Sequence, residues 1–147
     1  MNKKEKRVGI ASDHAGYKMK EVARRYLEEK GYEVIDFGAD SETRSDYADY
    51  AHPLGDAISK GELETGVAFC GSGNGINISL NRHKGVRSAY CWNPEIARLG
   101  RAHNDANVCA MPGRFLTEDQ VREIIDAFLS GGFEGGRHQT RIDKIDL

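Results

Sequence analysis

The chain has 147 residues, 39% of them hydrophobic, with 21 Lys and Arg against 23 Asp and Glu for a formal net charge of -2. This length accommodates one globular domain with a buried core, and the near-neutral charge, with no run of lysines or arginines, argues against a nucleic-acid partner. No apolar stretch is long enough for a membrane span. Residues 1–7 run into a short strand where a signal peptide would have its apolar core, and the 3 cysteines lack CxxC spacing, so a cytoplasmic chain with reduced thiols is expected.

Taken in order, residues 7–12 read as a first strand. Met19, Val22, Ala23, Tyr26 and Leu27 then recur at the spacing of one helix face until Gly31 stops the pattern. Residues 32–37 form a second strand, followed by a polar loop over 38–46 and a helix carrying Leu54, Ala57 and Ile58 that ends at Gly61. Residues 65–70 form the third strand, with a helix from about 75 to 82 after it, and residues 86–91 the fourth. Asn93 is a good N-cap with Pro94 as the first helical residue, and Ile96, Leu99 and His103 fall on one face of that helix. Residues 108–111 make the fifth strand. Thr117 and Gln120 form a capping box before Val121, Ile124, Ile125, Phe128 and Leu129.

Strands alternating with helices across short loops imply an α/β fold, a Rossmann-like three-layer sandwich with a five-stranded parallel sheet. Residues 1–147 read as a single domain. Its tail, residues 131–147, is glycine-rich and then basic, with little reason to order itself unless it docks on a neighbouring subunit.

The chemistry centres on Val67-Ala68-Phe69-Cys70-Gly71-Ser72-Gly73-Asn74-Gly75-Ile76, an apolar strand that ends in a thiol and passes through alternating glycines into a helix. Such a turn can present backbone N–H groups to a phosphate or a developing oxyanion, and the helix N-terminus favours a thiolate at Cys70. The P-loop, nucleophile-elbow and dinucleotide patterns all fail, the last because Asp13-His14-Ala15-Gly16 follows the first strand. Asp13, His14, Cys70 and Arg114 stand after strands, with His103 and Asn104 at the end of the fourth helix. Taken singly, each has a plainer role as a cap, a loop residue or a surface charge; together they are expected to share one cleft. Arg137 and Arg141 are four apart, which in a helical turn would suit a phosphate and otherwise reads as a solvated basic tail.

Five motifs in this order resemble the family of ribose-5-phosphate isomerase B and the galactose-6-phosphate isomerase subunits. They are Ser12-Asp13-His14-Ala15-Gly16, Ser45-Asp46-Tyr47, Cys70-Gly71-Ser72-Gly73, the stretch from Arg101 to Val108, and the stretch from Glu134 to Arg141. The resemblance implies a homo-oligomer, a dimer or a tetramer of dimers with active sites at the subunit interface, that interconverts an aldose phosphate and its ketose without metal or other cofactor. It implies Cys70 as the proton-abstracting base, the backbone of Gly71, Gly73 and Gly75 as the support for the enediolate, and His103 as the acid that opens the sugar ring. Asp13, His14, Tyr47, Asn104, Arg114, Arg137 and Arg141 match substrate or phosphate contacts. Ser72 and Asn74 depart from the threonine and small apolar residue common in the family, and both bear on sugar preference.

The residue types agree with that chemistry on their own account. Moving a carbonyl between neighbouring carbons needs one base, preorganised donors for a transient oxyanion, and an acid to open the hemiacetal. Ser72 can relay a proton, and a histidine such as His103 is suited to the acid's role. The histidines at 14, 52, 83, 103 and 138 show no paired spacing for a metal, and His52 and His83 read as structural or surface residues. Ribose 5-phosphate is the expected substrate. A hexose 6-phosphate such as that of allose or galactose is the alternative, and a non-catalytic sugar-phosphate sensor the reading from another class.

Overall fold

The computed structural model describes residues 6–147. In chain order the elements are β1 (Arg7–Ser12), α1 (Tyr17–Glu29), β2 (Glu33–Asp36), α2 (Tyr47–Ser59), β3 (Gly66–Cys70) and α3 (Asn74–Leu80). These are followed by β4 (Ser88–Tyr90), α4 (Pro94–Asn104), β5 (Val108–Pro112), a single 3-10 turn (Gly113–Phe115), α5 (Glu118–Ser130) and α6 (Arg137–Ile142). The strands form one parallel sheet in the order β2-β1-β3-β5-β4. Among the described residues, no helix is long and apolar enough to cross a membrane.

The central strands are buried on both faces, which is why they read as nearly continuous apolar runs. Side chains alternate across the sheet with period two. Val67 and Phe69 enter the core beneath α1, α4 and α5, with Val22, Leu27, Ala97, Ile124 and Phe128. Ala68 and Cys70 face the opposite core, with Leu54 and Ile58 of α2 and Ile76 and Leu80 of α3. Cys70 therefore belongs to the α2–α3 layer.

The strand order places a reversal of winding between β1 and β3. From β1 the chain moves outward to β2 by way of α1 on one face; from β3 it moves the other way by way of α3 on the opposite face. The loops leaving these two neighbouring strands diverge, and a crevice at their carboxyl ends is the geometric result.

The five strands and α1 to α5 occur where the sequence places them, with β2, β3 and β4 shorter than expected, β5 one residue longer, and α6 a helix within the expected tail. β2 and β4 are edge strands with one hydrogen-bonding partner each; Tyr32 and Val86 lie outside them, whereas just past their ends the Phe37 N–H still donates to Ile10 O at 2.9 Å and the Cys91 N–H to Ala110 O at 2.8 Å. The caps of α4 and α5 form as read: Asn93 Oδ1 accepts from Ile96 N–H at 2.8 Å, and the Thr117–Gln120 box closes in both directions. One helix face needs correction. α4 buries Ala97, Gly100 and Ala102, whereas Ile96, Leu99 and His103 stay half-buried. The small residues let the helix axis approach the sheet closely, and the larger ones are left at its flank.

A histidine pair joins the middle of α2 to the turn after α3, His52 Nδ1 lying 2.8 Å from His83 Nε2. Burial, reinforced by the neighbouring imidazole, holds His83 below its ordinary value of 6.5. The unfolded chain then binds this proton more readily than the folded one, so stability is lost as pH falls below about 6.5. We expect the urea midpoint to drop between about pH 7.5 and about pH 5.5, and His83→Gln to reduce that drop; an identical pH slope in the variant would contradict the assignment.

Candidate active site

The turn after β1 is held from two sides. Asp13 is 6% exposed, and its Oδ1 accepts the Gly16 N–H at 3.0 Å, which commits one carboxylate oxygen to the backbone. His14 is tied to the loop before α2: its N–H donates to Ser45 Oγ at 3.0 Å, and its Nδ1 stands 3.2 Å from Ser45 N and 3.1 Å from Ser45 O. Nδ1 can accept from the amide or donate to the carbonyl, one at a time. Either way the ring is oriented and Nε2 lies outside the clamp.

β3 delivers Cys70, 4% exposed, to the same edge. Gly73 then takes a φ of +81°, and a β-carbon there would stand 2.7 Å from Tyr90 Cε1 and 3.0 Å from the Met111 carbonyl carbon. The turn is further fixed by Tyr90, whose hydroxyl donates to Ser72 O at 2.7 Å. Ser72 Oγ accepts from Asn74 N–H at 3.2 Å at the start of α3. The Tyr47 ring, from the first turn of α2, lies so close over Gly75 that any side chain there would overlap it. The third loop belongs to β5: Arg114 donates its N–H to Gly71 O at 3.1 Å and lays its side chain alongside Gly71. A β-carbon on Gly113 would stand 3.3 Å from Cys70 O and 3.4 Å from Gly16 Cα, so the loops after β1, β3 and β5 converge backbone to backbone.

Asp13, His14, Tyr47, Cys70, Ser72, Gly73, Asn74, Gly75 and Arg114 are thus gathered on one edge around Gly71. His103, Asn104, Arg137 and Arg141 are not. The shared cleft does not form within one chain, because a crossover helix runs antiparallel to its strands and the end of α4 arrives at the amino-terminal edge of the sheet. There the Asn104 carbonyl accepts from Arg87 Nε at 3.0 Å, just before β4. A groove of about 690 Å³ opens on this amino-terminal side, lined by Glu64, Thr65, Arg87, Arg101, Asp105 and Asn107 among others, with Arg87 and Arg101 both paired to Asp105. None of the residues around Cys70 lines it.

The tail is ordered against its own chain. Glu134 N–H donates to Ala102 O at 3.0 Å, and His138, buried at the start of α6, stacks on His103 with ring centroids 4.2 Å apart. Burial, then His103 and Arg137, push the His138 imidazole below its ordinary value, with Glu134 opposing. Arg137 and Arg141 are both exposed on α6, four residues apart on one face. Sequence reasoning missed three participants. Ser45 as the His14 clamp and Tyr90 as the brace of the glycine turn act through contacts at long separation. The Glu134–His138 pair has a legible i,i+4 spacing.

Comparison with known proteins places this geometry. The sequence profile of the Ribose/Galactose Isomerase family matches residues 8–145. Ribose-5-phosphate isomerase B of Escherichia coli (strain K12) is 40% identical over 140 residues, covering 95% of this chain and 94% of the relative. Among solved structures, a ribose 5-phosphate isomerase of Thermotoga maritima superposes with a TM-score of 0.93 at 46% identity, covering 95% of this chain and 97% of that one. Ribose-5-phosphate isomerase B of Mycoplasma genitalium, solved with bound ribulose-5-phosphate, gives 0.90 at 38% identity, covering 95% and 93% of the two chains. The chain belongs to the ribose/galactose isomerase family.

The glycine turn makes a local prediction independent of any reaction. Gly73→Ala places a β-carbon at positive φ against Tyr90 and the β5 backbone, and is expected to lower stability by about 1–3 kcal/mol in chemical denaturation. A variant as stable as the parent would mean that the turn is not held as described.

Proposed function

We propose that this member of the ribose/galactose isomerase family interconverts ribose 5-phosphate and ribulose 5-phosphate, with Cys70 as the base that carries the proton between C2 and C1. The observation that carries this reading is the buried thiol at the switch point of the sheet, at the mouth of a glycine turn and one residue from the Arg114 contact with Gly71. Relatives in two bacteria, one of them with bound ribulose-5-phosphate, carry the corresponding names.

In the forward direction the Cys70 thiolate takes the C2 proton of the open-chain aldose, and the electron pair forms the C1–C2 double bond of an enediolate. The oxygen that gains negative charge meets N–H groups of the turn from Gly71 to Gly75. Loss of one such preorganised donor typically costs roughly 100- to 1,000-fold in rate. Ser72 Oγ uses a lone pair to accept from Asn74 N–H, which leaves its own proton to pass between O1 and O2. Cys70 then returns its proton to C1, completing the ketose. Asp13 and His14, oriented by Gly16 and Ser45, face the sugar from the β1 side, and Tyr47 and Asn74 border it at the heads of α2 and α3.

The ring-opening acid and the remaining cations come, in this reading, from a second copy. His103, Asn104, Arg137 and Arg141 occupy the far end of their own chain, and a neighbour is the economical way to bring them against Cys70. Large apolar side chains that water would otherwise meet support this: Phe115, 74% exposed beside Arg114, and Trp92, 51% exposed beyond β4. A two-fold dimer is the smallest closed assembly that completes two such sites, and a tetramer of dimers would contain the same pair. Arg137 and Arg141 then hold the phosphate, whose binding energy positions C1 and C2 against the thiol.

The test is turnover of ribose 5-phosphate in chelator, beside a panel of hexose 6-phosphates. Cys70→Ala is expected to lower turnover by roughly 100- to 10,000-fold while sugar-phosphate binding persists. Activity confined to a hexose phosphate would transfer the mechanism to that substrate, and normal turnover in the variant would remove Cys70 from its role. His103→Asn should impair the cyclic aldose far more than the open-chain ketose. Mixing and refolding the two variants tests the shared site: random pairing makes about half the dimers mixed, each with one intact site of two, so about a quarter of wild-type turnover should return. No recovery would place Cys70 and His103 in the same chain's site.

A further inference from the structure

Tyr90 is the last residue of the edge strand β4, set in register opposite Ala110 of β5, and its ring passes the end of β5 to reach the turn that follows β3. Two contacts fix that reach. A β-carbon on Gly73 would stand 2.7 Å from Tyr90 Cε1 and 3.0 Å from Pro112 N, and the Tyr90 hydroxyl donates to Ser72 O at 2.7 Å. The one polar atom of this side chain is thus committed to a single carbonyl of the glycine turn.

That carbonyl sets the direction of the N–H that follows it. The Ser72–Gly73 peptide is trans, so the planar unit points its C=O and its N–H opposite ways. The Ser72 oxygen is turned toward Tyr90 and β4, beyond β5. The Gly73 N–H is therefore turned toward β1, the side on which Asp13 and His14 border the crevice. A second observation is independent of that direction. Gly73 is buried, yet among the described residues its N–H donates to no protein group, and Ser72 Oγ is engaged by the next N–H, that of Asn74. Buried backbone donors are nearly always paired, so a free one facing the crevice is a donor held for a ligand.

We propose that Tyr90 is a positioning residue for the isomerisation: its hydroxyl holds the Ser72 carbonyl so that the Gly73 N–H donates to the oxygen that becomes negative in the enediolate. Tyr90 touches neither the sugar nor the reacting atoms and acts through the peptide it orients. A hydrogen bond from Gly73 to the neutral sugar oxygen is modest and strengthens as charge develops there, so the effect falls on the proton transfers more than on binding. The enediolate is common to both directions, and both are affected alike. This role rests on the enediolate reaction proposed above.

The experiment compares the parent chain with Tyr90→Phe and with Tyr26→Phe, which removes a hydroxyl bonded to Asp126 away from the site. Phenylalanine keeps the ring against Gly73 and loses only the hydroxyl bond, so the urea midpoint should stay close to that of the parent. Tyr90→Phe is expected to lower kcat by roughly 10- to 100-fold in both directions, the scale on which a misplaced donor acts, with KM within about 3-fold of the parent. Affinity for a phosphorylated hydroxamic acid, whose anion carries charge where the enediolate does, should fall by the same factor as kcat. Tyr26→Phe should match the parent throughout. Unchanged kcat in Tyr90→Phe would overturn the role. So would equal losses of affinity for ribose 5-phosphate and for the hydroxamic acid together with a lowered urea midpoint, because the hydroxyl would then only hold the turn together. Failure of the reaction reading shows separately, in the parent, as no turnover of ribose 5-phosphate or any hexose 6-phosphate, and removes this role with it.

Discussion

The site depends on the reversal of winding between β1 and β3. Adjacent parallel strands whose following helices lie on opposite faces cannot have their loops packed over one another, so the edge between them stays open. In this chain the two loops at that opening carry Asp13 and His14 on one side and Cys70 with its glycine turn on the other. The loop after β5 closes the third side by backbone contact at Gly113 and by the Arg114 amide. The thiol is held at the mouth because β3 is buried on both faces along its length. Its alternation assigns Phe69 to one core and Cys70 to the other, and a one-residue slip would exchange them.

Much of the polar inventory at this edge serves to hold backbone. Asp13 spends one oxygen on Gly16, Ser45 is occupied on both backbone and side chain by His14, and the Tyr90 hydroxyl is taken by Ser72. These bonds join segments far apart in sequence and fix turns whose geometry a catalytic loop requires. Tyr47 over Gly75 does the same by contact alone, and it links the head of α2 to the head of α3. A turn supported this way can keep N–H groups aimed at a reacting oxygen without reorganising when charge appears there.

The opposite end of the molecule has its own construction. α4 ends in a stacked pair of imidazoles capped by the returning tail, and the helix that presents Arg137 and Arg141 begins where His138 is buried. The ordering of the tail is thus supported by its own chain, through His138 and the Glu134 amide, whatever else docks there. The same arrangement places the Glu134 carboxylate beside two stacked imidazoles, one of them the proposed acid for ring opening.

The local features were legible without coordinates because local physics decides them. The Asn93 and Thr117 caps, the stop near Gly31, the apolar β3 and the glycine turn after Cys70 each follow from a few neighbouring residues. The alternation of strands and helices was enough for the parallel three-layer fold, since crossovers of one hand leave few other arrangements. What the chain order could not convey was which end of the sheet each residue reaches. A residue at the end of a crossover helix lies a sheet-length away from residues at the ends of the strands, and so His103 and Asn104 stand apart from Cys70. Nor could it convey contacts whose energy is earned only on folding, such as the clamp of His14 by Ser45, the brace of Ser72 by Tyr90 and the meeting of His103, Glu134 and His138. Sequence by itself determined the elements and the chemistry available to them; the tertiary structure alone decided which of those groups meet, because meeting depends on the direction each connection takes through space.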